Sequence, residues 1–147
     1  MTEYTLHDLA QTVAGAVEQD VPRTKNQLRT WLAAGILPAA QTYGEGVGTR
    51  RVYDDTSACV AVALARLAQF GIVGDALVAK GPVLEQHFKS HITKQQYLVI
   101  LPWPNVKNPE ARLGDSAVMD RPLDYLREGS GVIALDLTGI RRRLGLV

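Results

Sequence analysis

The alternation of apolar and polar residues predicts an amphipathic helix close to the start of the chain. Thr5 is its expected N-cap, and Asp8, three residues later, gives an arrangement close to a capping box. The segment from Gly15 to Pro22 is then predicted to be a connection, because Pro22 opposes the continuation of a helix. The apolar face of this first helix consists of Leu6, Leu9, Ala10 and Val13.

A second amphipathic helix is predicted from Lys25 to Ala34. Thr24 is its expected N-cap, and Gly35 follows at the position where helices commonly stop. Residues 36–38 are expected to lead the chain out in an extended conformation. The inward-facing residues of this helix are Leu28, Trp31 and Leu32.

A hairpin and a third helix are predicted next. Two short β-prone arms, from Gln41 to Tyr43 and from Thr49 to Tyr53, flank three glycines, which is typical of a hairpin. Asp54 and the two residues after it open the third helix, which is expected to end at Phe70-Gly71-Ile72. Its predicted core face consists of Val60, Ala63, Leu64 and Leu67.

The remainder of the chain is predicted to mix helices with short strands. A fourth helical stretch starts near Gly74 and restarts at Gly81-Pro82, with Leu84, Phe88 and Ile92 as its apolar stripe. A helical turn from Leu123 to Arg127 and a last short helix capped by Thr138 are also expected. The predicted strands run from Tyr97 to Leu101, from Ala117 to Met119 and from Val132 to Leu137.

The charge of the chain is nearly balanced but unevenly distributed. Its 16 Lys and Arg and 15 Asp and Glu give a formal net charge of +1 over 147 residues. Between Val21 and Arg51 only Glu45 opposes the basic side chains, which are Arg23, Lys25, Arg29, Arg50 and Arg51. A local basic face on a near-neutral protein is typical of a DNA binder that dissociates readily as salt rises.

The sequence shows no membrane or export signal. No apolar run reaches the roughly 18 residues that span a bilayer, and the first residues lack the basic and then apolar layout of a secretory signal. We therefore expect a cytoplasmic protein with no membrane partner. Cys59 is the only cysteine, which excludes an internal disulfide, and its apolar neighbours predict a buried thiol.

The order of several motifs resembles that of the MerR family of winged-helix transcription regulators. These motifs are the block Leu-Arg-Thr-Trp-Leu-Ala-Ala-Gly-Ile-Leu-Pro from Leu28 to Pro38, the glycine-rich hairpin, the run Arg-Arg-Val-Tyr-Asp-Asp from Arg50, and Phe70-Gly71-Ile72. The resemblance covers Tyr4 to about Ile72. It departs from the family in the long segment from Ala14 to Val21, and in the absence of an obvious long C-terminal helix that would form a coiled coil.

The resemblance implies an α+β fold, mainly helical, with a winged helix-turn-helix in residues 1–75. Residues 76–147 are expected to add a helix and a small α/β segment for dimerisation or effector binding. The implied function is a homodimeric, sequence-specific transcriptional regulator of double-stranded DNA, with its second helix in the major groove and the hairpin, or wing, on the backbone.

The chemistry of the side chains agrees with a DNA interface. Asn and Gln can pair with adenine edges, whereas Arg pairs with guanine or phosphate. One of Arg50 and Arg51 is expected to face phosphate and the other to brace the wing. The expected contacts are Arg23, Thr24, Lys25, Asn26, Gln27 and Arg29 on the helix and Tyr43, Thr49, Arg50 and Arg51 on the hairpin.

Other signals favour structure over catalysis. His87 and His91 would share a helix face, but no third metal ligand accompanies them, so a polar stripe is favoured. The glycines between Gly44 and Thr49 lack the ending of a phosphate-binding loop, and Gly129-Ser130-Gly131 lacks the context of a nucleophile elbow. The run from Arg141 to Arg143 could touch DNA phosphates, but a solvated face, or pairing with Asp and Glu across an interface, is favoured. We therefore expect no enzyme, no cofactor and no metal.

The C-terminal half is predicted to form the dimer interface. Its strands are too few for an independent core, and a sheet completed across a two-fold axis would solve this. A ligand pocket walled by Phe88, Tyr97, Trp103 and Tyr125 is the alternative, for a small-molecule effector of unknown identity. Two other functions stay open: a protein-interaction module that uses the strand from Tyr97 to Leu101 as an adhesive edge, and an excisionase-like architectural DNA binder.

Overall fold

A computed structural model describes residues 2–38, 41–44, 50–91, 94–101, 116–125 and 131–147. The helices are α1 (Leu6–Val17), α2 (Val21–Ala33), α3 (Asp55–Gln69), α4 (Gly74–Val78), α5 (Gly81–Lys89) and α6 (Leu137–Arg143). The strands are β1 (Gln41–Tyr43), β2 (Arg50–Val52), β3 (Tyr97–Ile100), β4 (Ser116–Met119) and β5 (Ile133–Asp136), and a 3-10 turn covers Pro122–Tyr125. Helices combined with two small antiparallel sheets confirm the predicted α+β class.

Helix α1 begins as predicted but continues further than predicted. The Thr5 side chain accepts from the backbone N–H of Asp8, and the Asp8 carboxylate accepts from the N–H of Thr5, which completes the capping box. The helix then runs through Gly15, which the sequence had placed in a connection. Ala16 and Val17 are buried in the core, and this burial outweighs the weak helix propensity of the exposed Gly15.

Helix α2 starts four residues earlier than predicted. Its N-cap is Asp20, whose carboxylate accepts from the backbone N–H of Arg23 at 2.8 Å. Pro22 sits in the first turn, where a helix does not use its N–H, so it favours this start and does not oppose it. Thr24 is therefore not the N-cap. The connection between α1 and α2 shrinks to residues 18–20, with Glu18 in the left-handed conformation at a φ of 56°.

Two helices end at glycines, as the sequence predicted. Gly35 and Gly71 adopt φ values of 71° and 85°, in the left-handed region that glycine enters at little cost. The backbone N–H of Ile36 donates to the carbonyl of Trp31 at 2.9 Å, and the N–H of Ile72 donates to the carbonyl of Leu67 at 3.0 Å. These are Schellman motifs, which turn the chain sharply out of α2 and α3.

The predicted hairpin is present and is tied to the N-terminal segment. Strands β1 and β2 pair in antiparallel register, with Tyr43 opposite Arg50 and Thr42 opposite Arg51. Tyr53, directly after β2, exchanges two backbone hydrogen bonds of 2.8 Å with Tyr4. The chain immediately before α1 therefore lies alongside the base of the hairpin.

The C-terminal strands form a complete sheet within one chain. Strand β3 is central and pairs antiparallel with β4 on one side and β5 on the other. Its residues Leu98, Val99 and Ile100 are buried. The chain therefore supplies both strands that flank β3, so the central strand does not need a second copy for its pairing; a dimer interface in this half of the chain stays a prediction.

Helix α6 follows β5 with no intervening loop. Asp136 ends the strand and caps the helix, accepting from the N–H of Gly139 at 2.7 Å. The predicted cap, Thr138, lies inside the helix, and its hydroxyl oxygen accepts from the N–H of Gln96 at 3.0 Å. The sequence reasoning missed Asp136 as the cap because this residue also fits the end of the predicted strand.

Helix α3 lies at the centre of the core. It packs against α1 on one side and against α5 and α6 on the other. Its predicted core face, with Val60, Leu64 and Leu67, is fully buried. A single apolar cluster extends from Tyr4 to Ile140 and crosses the predicted boundary between residues 75 and 76 without a break. Among the described helices, none is long and apolar enough to cross a membrane.

Candidate nucleic-acid interface

The solvent face of α2 is polar and basic. At 100° per residue, Arg23, Asn26, Arg29 and Thr30 fall within an arc of about 120°, and all four are exposed. The opposite face is buried through Thr24, Leu28 and Trp31. The helix contains no acidic residue. The helix is therefore anchored in the core by one face and presents hydrogen-bonding and cationic groups to solvent on the opposite face.

Two of the expected contacts, Lys25 and Gln27, lie on opposite flanks of this face and are half-buried. The Gln27 side chain is held by the α1–α2 turn, because its Oε1 accepts from Gln19 Nε2 at 2.7 Å. Thr30, which the sequence reasoning left out, lies on the exposed face, with its hydroxyl donating to the Asn26 carbonyl at 3.0 Å. The position of Thr30 could have been predicted from the sequence, because it follows Asn26 by four residues and therefore lies on the same face of the helix.

Thr24 belongs to the support of the interface and not to its surface. It is fully buried. Its hydroxyl donates to the Asp20 carbonyl at 2.9 Å and accepts from Gln19 Nε2 at 2.8 Å. A side chain in this position cannot reach a base edge, so we remove Thr24 from the expected contacts.

The hairpin exposes its two arginines on neighbouring positions of β2. Arg50 and Arg51 are exposed, while Val52, the next residue of the strand, is buried. Successive strand residues point to opposite faces, so the two guanidinium groups cannot both face one surface. The hydrogen bonds from Thr5, followed by the charges of His7 and then Arg50, hold the pKa of Asp8 on α1 below its ordinary value. Of the other expected contacts, Thr49 and the Tyr43 side chain lie outside the described part.

The end of α1, which leads into α2, is clamped by α3. Arg66 Nη2 donates to the Ala16 carbonyl at 3.0 Å, and Gln69 Nε2 donates to the Val17 carbonyl at 2.9 Å. A cation at a helix C-terminus also favours the helix dipole. Sequence reasoning missed this clamp, although Arg66 is the only charged residue of α3 beyond its first turn.

The histidine pair does not form a metal site. Helix α5 ends at Lys89, so the exposed His91 does not share a helical face with the buried His87. Burial and then the charge of Arg141 lower the pKa of His87. Across the described ranges no group of three or more His, Cys, Asp or Glu side chains could hold a metal ion.

The arginines of α6 have contacts within the chain. Arg141 Nη2 donates to the carbonyls of Phe88 and Ser90 at 3.0 and 2.9 Å, which satisfies the end of α5. Arg142 donates to Gln95, and Arg143 lies 3.3 Å from the Glu18 carboxylate. Arg143 is exposed and ion-paired, in line with the interpretation of this run, whereas Arg141 is half-buried and donates to backbone carbonyls, which that interpretation did not include.

A cleft of about 570 Å³ lies between α3, α5 and α6. Phe88 is the one predicted aromatic wall that lines it. Tyr97 is half-buried on β3, and Trp103 and the Tyr125 side chain fall outside the described residues. Cys59 also borders the cleft and is 2% exposed, as predicted, and burial raises the pKa of its thiol to about 12.

No protein-family model matches the chain. A search of curated proteins finds no significant similarity either.

Proposed function

We propose that this protein is a sequence-specific regulator of transcription that binds double-stranded DNA as a homodimer, with α2 in the major groove and the β1–β2 hairpin on the phosphate backbone. The observation that carries the proposal is the exposed face of α2, with Arg23, Asn26 and Arg29 outward and no acidic residue on the helix. Base edges and phosphates are contacted by such side chains near the start of a recognition helix.

The short connection before α2 supports the same proposal. Residues 18–20 join two packed helices, which removes one departure from the MerR-like pattern. The exposed Arg50 and Arg51 on the hairpin supply the cations expected of a wing. The other departure stands within the described residues, because the last helix, α6, has seven residues and is too short for a coiled coil.

The proposed dimer therefore uses a different surface. Three large apolar side chains are exposed between the end of α3 and the end of α4: Phe70 at 60%, Val73 at 63% and Val78 at 41%. Exposed apolar clusters often mark protein interfaces, and reading two DNA half-sites requires a second copy of the chain. We place the contact between copies at this corner, and expect Phe70→Glu to shift the protein toward monomer in sedimentation velocity.

The alternative function, a protein-interaction module, was expected to use the strand that begins at Tyr97 as an adhesive edge. Strand β3 is paired along both edges and buried, so it has no free edge to offer a partner. An excisionase-like architectural binder would use the same α2 surface. It differs from a regulator in strong DNA bending with weak sequence preference, which a comparison of random and selected duplexes by gel mobility distinguishes.

Fluorescence anisotropy with a labelled pool of random duplex tests the proposal. Titrations at roughly 50 and 200 mM salt should show a steep loss of affinity, because cations released from the DNA contribute to binding. The double variant Arg29→Ala/Arg50→Ala should bind weakly and lose about two units of the slope of log K against log salt. Lys89→Ala/Lys94→Ala removes the same charge from exposed positions outside α2 and the hairpin, and should bind like the parent.

Three outcomes separate the candidates. Loss of binding in the first variant alone supports the α2–hairpin surface. Equal loss in both variants indicates general electrostatic attraction and contradicts the proposed surface. Absence of binding by the parent at low salt contradicts DNA binding altogether, and the basic region from Val21 to Arg51 would then be a protein-docking surface.

A further inference from the structure

The cleft between α3, α5 and α6 has the size and the residue types of a small-molecule site. Its volume of about 570 Å³ lies within the roughly 300–1,000 Å³ typical of ligand pockets. Such pockets combine apolar walls with a few polar groups that orient the ligand. The cleft has both, and none of the residues that line it belongs to α2 or to the hairpin.

Contacts within the chain hold the walls of the cleft in place. Arg141 reaches from α6 to the end of α5, where its Nη2 donates to the carbonyls of Phe88 and Ser90 at 3.0 and 2.9 Å. Its guanidinium carbon also lies 5.5 Å from the centre of the Phe88 ring. The Thr138 hydroxyl accepts from the N–H of Gln96 at 3.0 Å, which ties the start of α6 to the chain just before β3. Because the chain itself fixes these helices, binding of a ligand would require little rearrangement.

One part of the cleft wall is apolar. Phe88 on α5 and Cys59 on α3 are 7% and 2% exposed, and Leu146, which follows α6, is half-buried. A thiol is only a weak hydrogen-bond donor, and the other two side chains have no polar atom. This wall therefore suits the hydrocarbon part of a ligand.

The exposed cation of the cleft is Arg142. It follows Thr138 by four residues on α6, so both lie on the face that borders the cleft. Its Nη2 donates to Gln95 Oε1, and Gln95 Nε2 in turn donates to Asp136 at 2.6 Å, which holds the guanidinium at the rim. A guanidinium has five N–H donors, so the contact with Gln95 leaves others for a ligand.

The carboxylate side chain that lines the cleft, Asp55, is engaged from the N-terminal segment. Its Oδ2 accepts from the N–H of Thr2 at 3.2 Å, and its Oδ1 accepts from the Tyr4 hydroxyl at 3.3 Å. Two arginines outnumber it along the cleft. Burial raises the pKa of Cys59 to about 12, and the charge of Arg141 opposes this rise, so positive potential extends to the apolar wall.

We propose that this cleft binds a small organic acid, with the apolar body of the ligand against Phe88, Cys59 and Leu146 and its carboxylate on the guanidinium of Arg142. Arginine suits a carboxylate because two parallel N–H groups can meet its two oxygens. A ligand with one negative group is favoured over a polyphosphate, because Arg142 is the exposed one of the two arginines that line the cleft. The inference goes beyond the proposed function and does not rest on DNA binding.

Titration of the full chain with 2-naphthoate, followed by two-dimensional NMR of the backbone amides, tests the site. This compound joins a flat apolar body to one carboxylate, and 2-naphthalenemethanol is a neutral compound with the same rings. The naphthoate should shift the amide signals of Thr56, Ser90 and Arg142 until they saturate. It should bind about tenfold more tightly than the alcohol, because only the acid makes charge-assisted hydrogen bonds to arginine.

Three variants locate the contact. Arg142→Met removes the guanidinium and should weaken binding of 2-naphthoate about tenfold while leaving binding of the alcohol unchanged. Arg143→Met is the matched control and should bind like the parent, because Arg143 is exposed, pairs with Glu18 and does not line the cleft. Thr56→Trp places a bulky side chain at the cleft and should weaken binding of both compounds. The amide spectrum of each variant shows whether it is folded, and Arg142→Met carries the test if Thr56→Trp is not.

Three outcomes would overturn the inference. The first is the absence of shifts at the cleft even at roughly 10 mM 2-naphthoate. The second is a set of shifts centred on Phe70 and Val73, which would indicate adsorption to exposed apolar surface. The third is equal affinity of the parent and Arg142→Met for the acid. Weaker binding in Arg142→Met and Thr56→Trp, with parental binding in Arg143→Met, establishes the site.

Discussion

Gly15 offers a sharp test of how α1 leads into α2. It is exposed and lies within α1, and a Cβ added there would meet no heavy atom within 4 Å. Gly15→Ala should therefore stabilise the protein by about 0.8–1 kcal/mol, the difference in helix propensity between the two residues. For a chain of this size each kcal/mol corresponds to roughly 3 °C, so the thermal midpoint should rise by about 3 °C.

Proline at the same position should have the opposite effect. Gly15→Pro removes a backbone N–H that the helix uses and places its ring against the preceding turn, at a cost of about 3 kcal/mol or more. The midpoint should fall by roughly 9 °C. Both midpoints are measured by circular dichroism at 222 nm. A connecting loop at residues 15–22 would tolerate proline, so an unchanged midpoint for Gly15→Pro would refute the continuous α1 and the short turn before α2.

A second glycine provides the matched control for these measurements. Gly71 adopts a φ of 85°, and no heavy atom lies within 4 Å of an added Cβ. Gly71→Ala should thus destabilise the protein by about 1–2 kcal/mol through backbone conformation alone. Opposite signs for the same substitution at Gly15 and Gly71 would show that backbone conformation, and not a general effect of alanine, decides the result.

Three further predictions concern the core around α3. Arg66→Met removes a donor to the Ala16 carbonyl and should lower the free energy of unfolding by about 2 kcal/mol in urea titrations. Arg142→Met, at an exposed position, is the control and should cost under about 0.5 kcal/mol. Equal losses in the two variants would contradict the clamp. Cys59, with its pKa raised to about 12 by burial, should resist thiol reagents at pH 8 until the chain is unfolded, so stoichiometric labelling of the native protein within seconds would contradict its burial. Because burial, followed by Arg141, lowers the pKa of His87, the unfolded chain takes up this proton more readily; stability should be full above the ordinary histidine pKa of about 6.5 and fall as the pH drops through it. Urea midpoints at pH 5.5 and 7.5 check this, and His87→Gln should show a smaller difference than the parent.

Local sequence signals were sufficient for most of the elements. The capping box at Thr5, the glycine stops at Gly35 and Gly71 and the Asp54 cap of α3 depend on neighbouring residues, and the structure has all of them. The hairpin was predictable for the same reason, since its arms and its glycines are adjacent in sequence.

The two misplaced boundaries have different causes, one tertiary and one local. Gly15 and Pro22 were read by their average helix preferences, but burial of Ala16 and Val17 extends α1, and Pro22 is suited to a first turn. The support of the candidate interface was also missed: Thr24 meets Gln19 across the α1–α2 turn, and Arg66 meets Ala16 only once α1 and α3 have packed. By contrast, the exposed arginine and asparagine positions of α2 follow from helical spacing, which the sequence does contain.

Selection from a random duplex pool tests the central claim most directly. The parent protein is incubated with the pool at moderate salt, bound DNA is recovered over several rounds, and the enriched sequences are aligned. We predict a two-fold-symmetric site with half-sites about one helical turn apart, or a multiple of it, whose affinity is lost in Arg29→Ala/Arg50→Ala. A pool that gains no affinity over the rounds, with no binding even at low salt, would contradict the assignment of α2 and the hairpin as a DNA-binding surface.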